Sequence, residues 1–425
     1  MEHLGVMYLI SSLKKAGHAV LLHRMDADCG DVFIRTNNIE PDYVCYSVCS
    51  GSEQYYFNLD KELKTKLQDM DFISVFGGPA VTFNPELFEG RNYIRGESEN
   101  ALVDFIEHGK CTDLKLVDID NIPVPDRHLV YSYPEMKSNP IKNMMTRRGC
   151  KFNCSYCFNH IWNKLHKGQY RSVIRLRNVD DVTDEALDLK ENWQPLELIH
   201  IMDDNFARPV KWLKKFAPLY RNKVGVPFIC NAHPNDLTDD IAKMLSDSGC
   251  VIISLALESA NDCNRTEILN RTNDRVTVKK AVEICRKYNI RTRLQNIIGL
   301  PVEDSLGDAY ETLDFNIECR PTNSWSAILQ CYKGTAIYER ALKEGYAPED
   351  GSVDEGFFGI STLKLKNKVQ IERLHKLWPL IAAYPIPFRK LAPLLTRIPM
   401  TMSMYGRLFR FTKRWLSERD LWKNK

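Results

Sequence analysis

The sequence predicts an α/β protein in three parts: a reduced, doubly wound parallel sheet at the N terminus, an open partial barrel of six βα units, and short helices at the C terminus. Three observations predict it. Strand-like apolar runs alternate with amphipathic helical runs over residues 1–112 and again over 141–345, the pattern of a parallel sheet. Prolines at 123, 125 and 134 break that pattern between the two stretches and make 113–140 a linker. Prolines at 379, 385, 387, 393 and 399 chop residues 346–425 into short helical pieces.

The totals agree. A chain of 425 residues can bury two or three cores. Its 44% hydrophobic and 27% charged residues exclude a disordered or fibrous chain. A formal net charge of +3 does not point to nucleic acid, and none is expected as a partner. No apolar run reaches the roughly 18 residues of a spanning helix. The chain opens Met1-Glu2-His3 straight into an amphipathic pattern, so the expected location is the cytoplasm. Ten of the thirteen cysteines are scattered, and they read as small buried hydrophobes in a reducing compartment.

In the first part, residues 4–16 have helical apolar spacing and end at Gly17, a good C-cap. Strands are predicted at 19–22, 43–48, 72–76 and 93–95, with helices at 54–68 and 99–107. The third of these strands runs into Gly77-Gly78-Pro79. Ligands on such sheets bind at the carboxyl ends of the strands, and glycine there lets a ligand approach the backbone. A plain tight turn explains Gly77 and Gly78 equally well.

The second part offers strands at 142–148, 196–203, 226–231, 251–257, 292–298 and 324–329, separated by helices such as 278–288. Six units are too few to close an eight-stranded barrel, so an open one is expected, with its active groups at the strand carboxyl ends. Directly after the first strand comes Cys150-Lys151-Phe152-Asn153-Cys154-Ser155-Tyr156-Cys157. Three cysteines within eight residues point three sulfurs into one small volume, as an iron–sulfur cluster requires. Three ligands for a four-iron cubane leave one iron open. Zinc, with His160 as fourth ligand, is the alternative. Asp203 and Asp204 end the second strand; they suit a cationic amine, or cap a helix ahead of Pro209. Glu258 on an apolar strand needs a hydroxyl-rich ligand or a salt bridge, because a buried lone carboxylate is costly. Gly299 ends the fifth strand and fits an ordinary turn as well as a ligand contact.

Together these motifs resemble the radical S-adenosylmethionine (SAM) enzymes. Cys-x-x-x-Cys-x-aromatic-Cys, with Tyr156 as the aromatic, is their signature. Met202-Asp203-Asp204-Asn205-Phe206 stands in the place of their Gly-Gly-Glu segment. Ser254-Leu255-Ala256-Leu257-Glu258-Ser259 is similar to their ribose-side element, and Gly299-Leu300-Pro301 to their adenine-side one. Gln330-Cys331-Tyr332-Lys333-Gly334-Thr335 is close to a Gln-Pro-Tyr-Pro-Gly-Thr pattern with both prolines changed. The N-terminal part resembles the cobalamin-binding domain in front of many such enzymes, through Leu4-Gly5-Val6-Met7-Tyr8-Leu9, Pro41-Asp42-Tyr43-Val44, Phe76-Gly77-Gly78-Pro79 and Arg95-Gly96-Glu97-Ser98-Glu99. It departs from that domain in two ways: the first strand is missing, and there is no Asp-x-His-x-x-Gly.

The resemblance implies a [4Fe–4S] cluster on Cys150, Cys154 and Cys157. It implies SAM held by Tyr156, Asp203, Asp204, Ser254, Glu258 and Gly299, and cobalamin at Gly77 and Gly78. It further implies a small-molecule or lipid-like substrate, an electron donor such as flavodoxin or ferredoxin, and cleavage of SAM to a 5′-deoxyadenosyl radical. Three functions stay open: cobalamin-dependent methylation of an unactivated carbon; radical coupling, cyclisation or rearrangement without cobalamin; and a non-catalytic, cluster-carrying electron-transfer partner.

Residues 373–417 contain nine Lys or Arg and no Asp or Glu, between apolar clusters. Such helices can lie peripherally on the inner membrane surface, or pack as a cap over the open side of the barrel.

Overall fold

The computed structural model describes residues 2–24, 30–110, 114–169, 174–354, 356–399, 404–407 and 410. In the first part, β1 (Tyr43–Ser47), β2 (Ile73–Gly77) and β3 (Asn92–Tyr93) form a parallel sheet in that order. Side chains alternate between its faces. Tyr46 and Phe76 pack on Leu59 and Leu63 of helix Glu53–Lys66, while Val75 packs on Leu13 of helix Leu4–Lys15 and on Ala101 and Leu102 of helix Glu99–His108. Helices therefore cover both faces, as expected of a doubly wound sheet.

Residues 19–22 are not a strand, contrary to expectation. The Leu22 carbonyl accepts from the Tyr133 hydroxyl (2.8 Å) and the Arg24 N–H donates back to it (3.1 Å). A linker tyrosine thus takes the hydrogen bonds a sheet neighbour would have taken. The strand expected at 93–95 is only Asn92–Tyr93.

The second part holds β4 (Ile141–Met144), β5 (Arg147–Arg148), β6 (Arg175–Leu176), β7 (Leu198–Ile201), β8 (Phe228–Ala232), β9 (Cys250–Glu258), β10 (Arg291–Ile298) and β11 (Asn323–Ile328). β5 and β6 form a small antiparallel pair. The other six make an all-parallel sheet, β4-β7-β8-β9-β10-β11, curled into a half-barrel. Ile199, Phe228, Ile253, Leu255 and Leu294 point outward into the core shared with helices Val179–Asn192, Val210–Lys223, Asp239–Asp247 and Arg275–Lys287. Leu198, Ile229 and Ile252 form a small apolar cluster on the inner face near the strand starts. Toward the carboxyl ends that face turns polar, with Asn231, Ser254 and Gln295.

Helix Lys368–Ala383 lies along the open edge, on β11 and helix Ser305–Cys319. It buries Ile371, Leu374, Leu377, Trp378 and Ile381 with Ile298, Leu313 and Leu329. The tail, as far as it is described, is a cap. The apolar side chains that would have met lipid through Ile381 are in the core, and Pro379 sits within a helix instead of ending one. The clusters Leu408-Phe409 and Trp415-Leu416 lie outside the described residues. No helix among the described residues is long and apolar enough to cross a membrane.

The segment following β1 meets the C-terminal part, and those following β2 and β3 meet the second part. The Gly51 backbone lies against that of Asp354, and the Phe83 ring stands 5.7 Å from that of Phe158. Glu86 pairs with Lys333 (2.7 Å), and Glu97 and Glu99 pair with Arg148 (3.1 and 2.5 Å). Arg148 and Phe158 flank the cysteine loop. The carboxyl edge of the small sheet therefore faces the cysteine end of the half-barrel.

Candidate functional site

Residues 150–157 leave β5 through Gly149, whose φ of 94° suits glycine. Ser155 then pins the loop, its N–H and hydroxyl donating to the carbonyls of Leu269 (3.0 Å) and Ile268 (2.5 Å). Asn163 holds the Cys150 carbonyl at 2.9 Å and Asn270 the Asn153 carbonyl at 2.6 Å. So held, Cys150, Cys154 and Cys157 line one cavity of about 230 Å³ at the carboxyl ends of the strands.

His160 is not a fourth ligand. Its Nδ1 meets the carbonyls of Cys157 (2.7 Å) and Cys154 (3.2 Å), and its Nε2 accepts from the Ala336 N–H (3.4 Å). Both ring nitrogens brace the main chain, so His160 does not serve as the fourth zinc donor. The sulfurs themselves receive donors: the Asn159 amide on Cys157 (3.6 Å) and Arg271 Nη1 on Cys154 (3.5 Å). Burial, reinforced by the negative charge of Asp204, pushes the Cys150 thiol up to about 11 and the Cys157 thiol up to about 12. Three sulfurs on one cavity, held by a loop of eight residues, are a donor set that fits an iron cluster with one iron left open.

The two aspartates part company. Asp203 is buried and fully used: it accepts from the Thr146 N–H (2.8 Å), the Thr146 hydroxyl (2.5 Å) and Arg147 Nε (3.0 Å). Its carboxylate ties β7 to the β4–β5 connection, with both oxygens held by protein donors, and it is not among the residues lining the cavity. Asp204 lines the cavity, open to it but walled by protein, beside Asn159. Burial raises its pKa, with the Asn159 hydrogen bond pulling the other way.

Glu258 closes β9 with a φ of 69°, a left-handed conformation costly for any residue but glycine and typical of functional sites. Its Oε1 accepts from the Tyr156 hydroxyl at 2.8 Å and lies 3.9 Å from Arg271 Nη1. Burial raises its pKa, and Arg271 and Tyr156 oppose the rise. Arg271 also reaches Tyr156 Oη (3.0 Å), the Ala256 carbonyl (2.8 Å) and Asn273 Oδ1 (3.0 Å). The salt bridge weighed as one explanation of Glu258 is real, and the residue lines the cavity as well. Ser254, four positions earlier on the same strand, is buried and lines it too.

Gly299 is not among the lining residues. A Cβ there would stand 3.6 Å from Ile371 and Leu365 of the C-terminal cap, and its φ of 81° serves the turn out of β10. Gly78 is explained by its own chain, since a Cβ would come within 2.7 Å of the Val48 carbonyl oxygen. Gly77 has more room, with the Ile94 carbonyl nearest at 3.8 Å.

Sequence reasoning missed Arg271, Asn159, His233, Asn231 and Gln295, all of which line the cavity. Asn231 and Gln295 were within reach, being polar residues at inward positions of apolar strands. Arg271 sits in a polar loop that carries no periodic signal.

Residues 144–315 match the family model of the Radical SAM superfamily. An uncharacterized methyltransferase of Pyrococcus horikoshii is 23% identical over 376 residues, covering 80% of this chain and 78% of its own length. Among solved structures, the cobalamin-dependent SAM radical enzyme OxsB, with aqua-cobalamin and SAM bound, superposes with a TM-score of 0.70 at 14% identity, covering 99% of this chain and 69% of its own. The radical SAM methyltransferase TsrM from Kitasatospora setae, with cobalamin and a [4Fe–4S] cluster bound, gives 0.61 at 14% identity, covering 80% and 72%. At these identities the likeness to the solved structures is one of fold.

Proposed function

We propose that this chain, a radical SAM enzyme, methylates an unactivated carbon of a small or lipid-like molecule with cobalamin as methyl carrier. The observation that carries the reading is the meeting of two ligand-binding edges: the carboxyl edge of the small sheet faces the cysteine end of the half-barrel, through Glu97 on Arg148 and Phe83 on Phe158. The names of the fold neighbours OxsB and TsrM support it.

Cys150, Cys154 and Cys157 would hold the [4Fe–4S] cluster, which when bound supplies the electron that opens the sulfonium C–S bond of SAM to a 5′-deoxyadenosyl radical. Asp204, open to the cavity beside the cysteines, takes the cationic amine of SAM's methionine part. Arg271 fixes Glu258 and Tyr156, which with Ser254 orient the ribose. Asn231 and Gln295 add neutral donors and acceptors to the cavity. Gly77, at the carboxyl end of β2, is where a corrinoid would approach the backbone of the small sheet. The reductant would be a flavodoxin or ferredoxin.

A second reading, radical coupling, cyclisation or rearrangement without cobalamin, is favoured by two observations. Val48 already fills the space above Gly78, and residues 19–22 add no strand to the sheet.

Anaerobic reconstitution with iron and sulfide, followed by reductant and SAM, tests the shared core: 5′-deoxyadenosine should form. Replacing all three loop cysteines by alanine should remove both the brown colour and the product. No 5′-deoxyadenosine from fully loaded protein would defeat both readings. Corrinoid that stays with the protein on gel filtration after incubation with hydroxocobalamin supports the first. Its loss, with 5′-deoxyadenosine still formed, supports the second.

A further inference from the structure

We infer that His233 is a positioning residue of this cavity, its Nε2–H donating to an anionic acceptor at the cysteine end; the inference rests on the reading just given. His233 follows directly on β8 and caps the short turn Pro234–Asp236. Its Nδ1 accepts from the Asn235 N–H at 3.2 Å, which puts the ring proton on Nε2. The Asn205 amide oxygen holds its backbone N–H at 3.2 Å, and its ring stacks on Phe152 with centroids 3.7 Å apart and planes 15° from parallel. Tautomer and ring direction are thus both fixed, and two of the neighbours that fix the residue, Asn205 and Phe152, themselves line the cavity.

The donor so fixed is unused. His233 is 7% exposed and lines the cavity, and among the described residues its buried Nε2 has no hydrogen-bond partner. Buried donors are almost always paired, and one left open in a ligand-sized cavity points to an acceptor on the ligand. The charged side chains that act on His233 are Arg271 and Lys151, both cationic, so the acceptor that completes the group is anionic. Lys151 is itself engaged by Asp236 at 2.9 Å. Phe152, under the imidazole, lies between Cys150 and Cys154 in the chain, so the ring rides on the cluster loop. Two acceptors of this chemistry belong to the proposed site: a sulfide of the cluster and the carboxylate of SAM.

The test uses the full chain, reconstituted anaerobically, as wild type, His233→Phe and His233→Gln. Phenylalanine keeps the stacking and loses the donor; glutamine returns an N–H donor on a different frame. Iron and sulfide content, the EPR spectrum and midpoint potential of the reduced cluster without SAM, and SAM affinity are measured on each. His233→Phe should load its cluster like wild type yet bind SAM about tenfold more weakly, the effect of losing one hydrogen bond to a charged group. His233→Gln should recover part of that affinity. A shifted potential or altered EPR spectrum in SAM-free protein, with SAM affinity unchanged, would support the inference with the cluster sulfide as acceptor. Unchanged affinity, potential and spectrum at full loading would overturn it, and if the Phe variant does not fold the Gln variant decides by the same three readouts. A wild-type chain that takes up no cluster would overturn the underlying reading and the inference with it.

Discussion

Both oxygens of Asp203 are occupied by Thr146 and Arg147, whereas the next carboxylate, Asp204, faces the cavity. Two adjacent aspartates at the end of a strand look alike in sequence, because the inward–outward alternation that sorts strand residues stops there. Their replacements should behave differently. Asp203→Asn leaves the buried Arg147 guanidinium without its counter-ion and should cost roughly 3 kcal/mol of stability. Asp204→Asn should change stability by less than about 0.5 kcal/mol, since the group makes no buried ion pair. It should instead weaken SAM binding by roughly tenfold to hundredfold. Denaturant unfolding and a SAM-binding titration on the two variants check the pair of outcomes. A stable Asp203→Asn protein with impaired SAM binding would reverse the assignment.

At the scale of elements, the six strands of the half-barrel were legible because a parallel strand covered on one face by helices reads as an apolar run. Inner-face polar residues such as Asn231, Ser254 and Gln295 interrupt those runs without erasing them. Residues 19–22 read as a strand for the same reason, but no pattern in the run shows that Tyr133, more than a hundred positions later, takes its hydrogen bonds. The tail was ambiguous on similar grounds. An apolar face at helical spacing is the same whether a core or a lipid surface covers it, and only packing decides. Here Trp378, fully buried, donates from Nε1 to Ser324 on β11 at 2.8 Å. Trp378→Ala should therefore cost roughly 4 kcal/mol through lost burial and the cavity left behind. Differential scanning calorimetry checks it, and a loss under about 1 kcal/mol would show that the helix is not part of the core.

Across the whole molecule, the two parts are joined by a buried charge cluster next to the cysteine loop. Glu97 accepts from Arg175 Nη1 (2.9 Å) and the Val117 N–H (2.9 Å) and pairs with Arg148 (3.1 Å), while Arg148 also holds Glu99 and lies over the Tyr8 ring. Arg148 is two residues from Cys150, so the docking of the small sheet and the placement of the loop share a side chain. Burial pushes the Glu97 carboxyl up, but the Arg175 hydrogen bond and the charges of Arg148 and Arg175 outweigh it and hold it below its ordinary 4.5. A carboxylate depressed in the folded state adds stability that is complete above its unfolded value and is lost as pH falls through the folded one. The contribution of Glu97 should then be constant above about pH 6 and vanish in acid. Glu97→Gln, which leaves two partly buried arginines short of an anion, should cost roughly 1–3 kcal/mol at pH 7. The Tm gap between wild type and variant should be level from pH 8 to about pH 6 and close as pH is taken toward 3. Should the gap persist undiminished in acid, or be absent at pH 7, the charge cluster is not what holds the sheet edge against the cysteine loop.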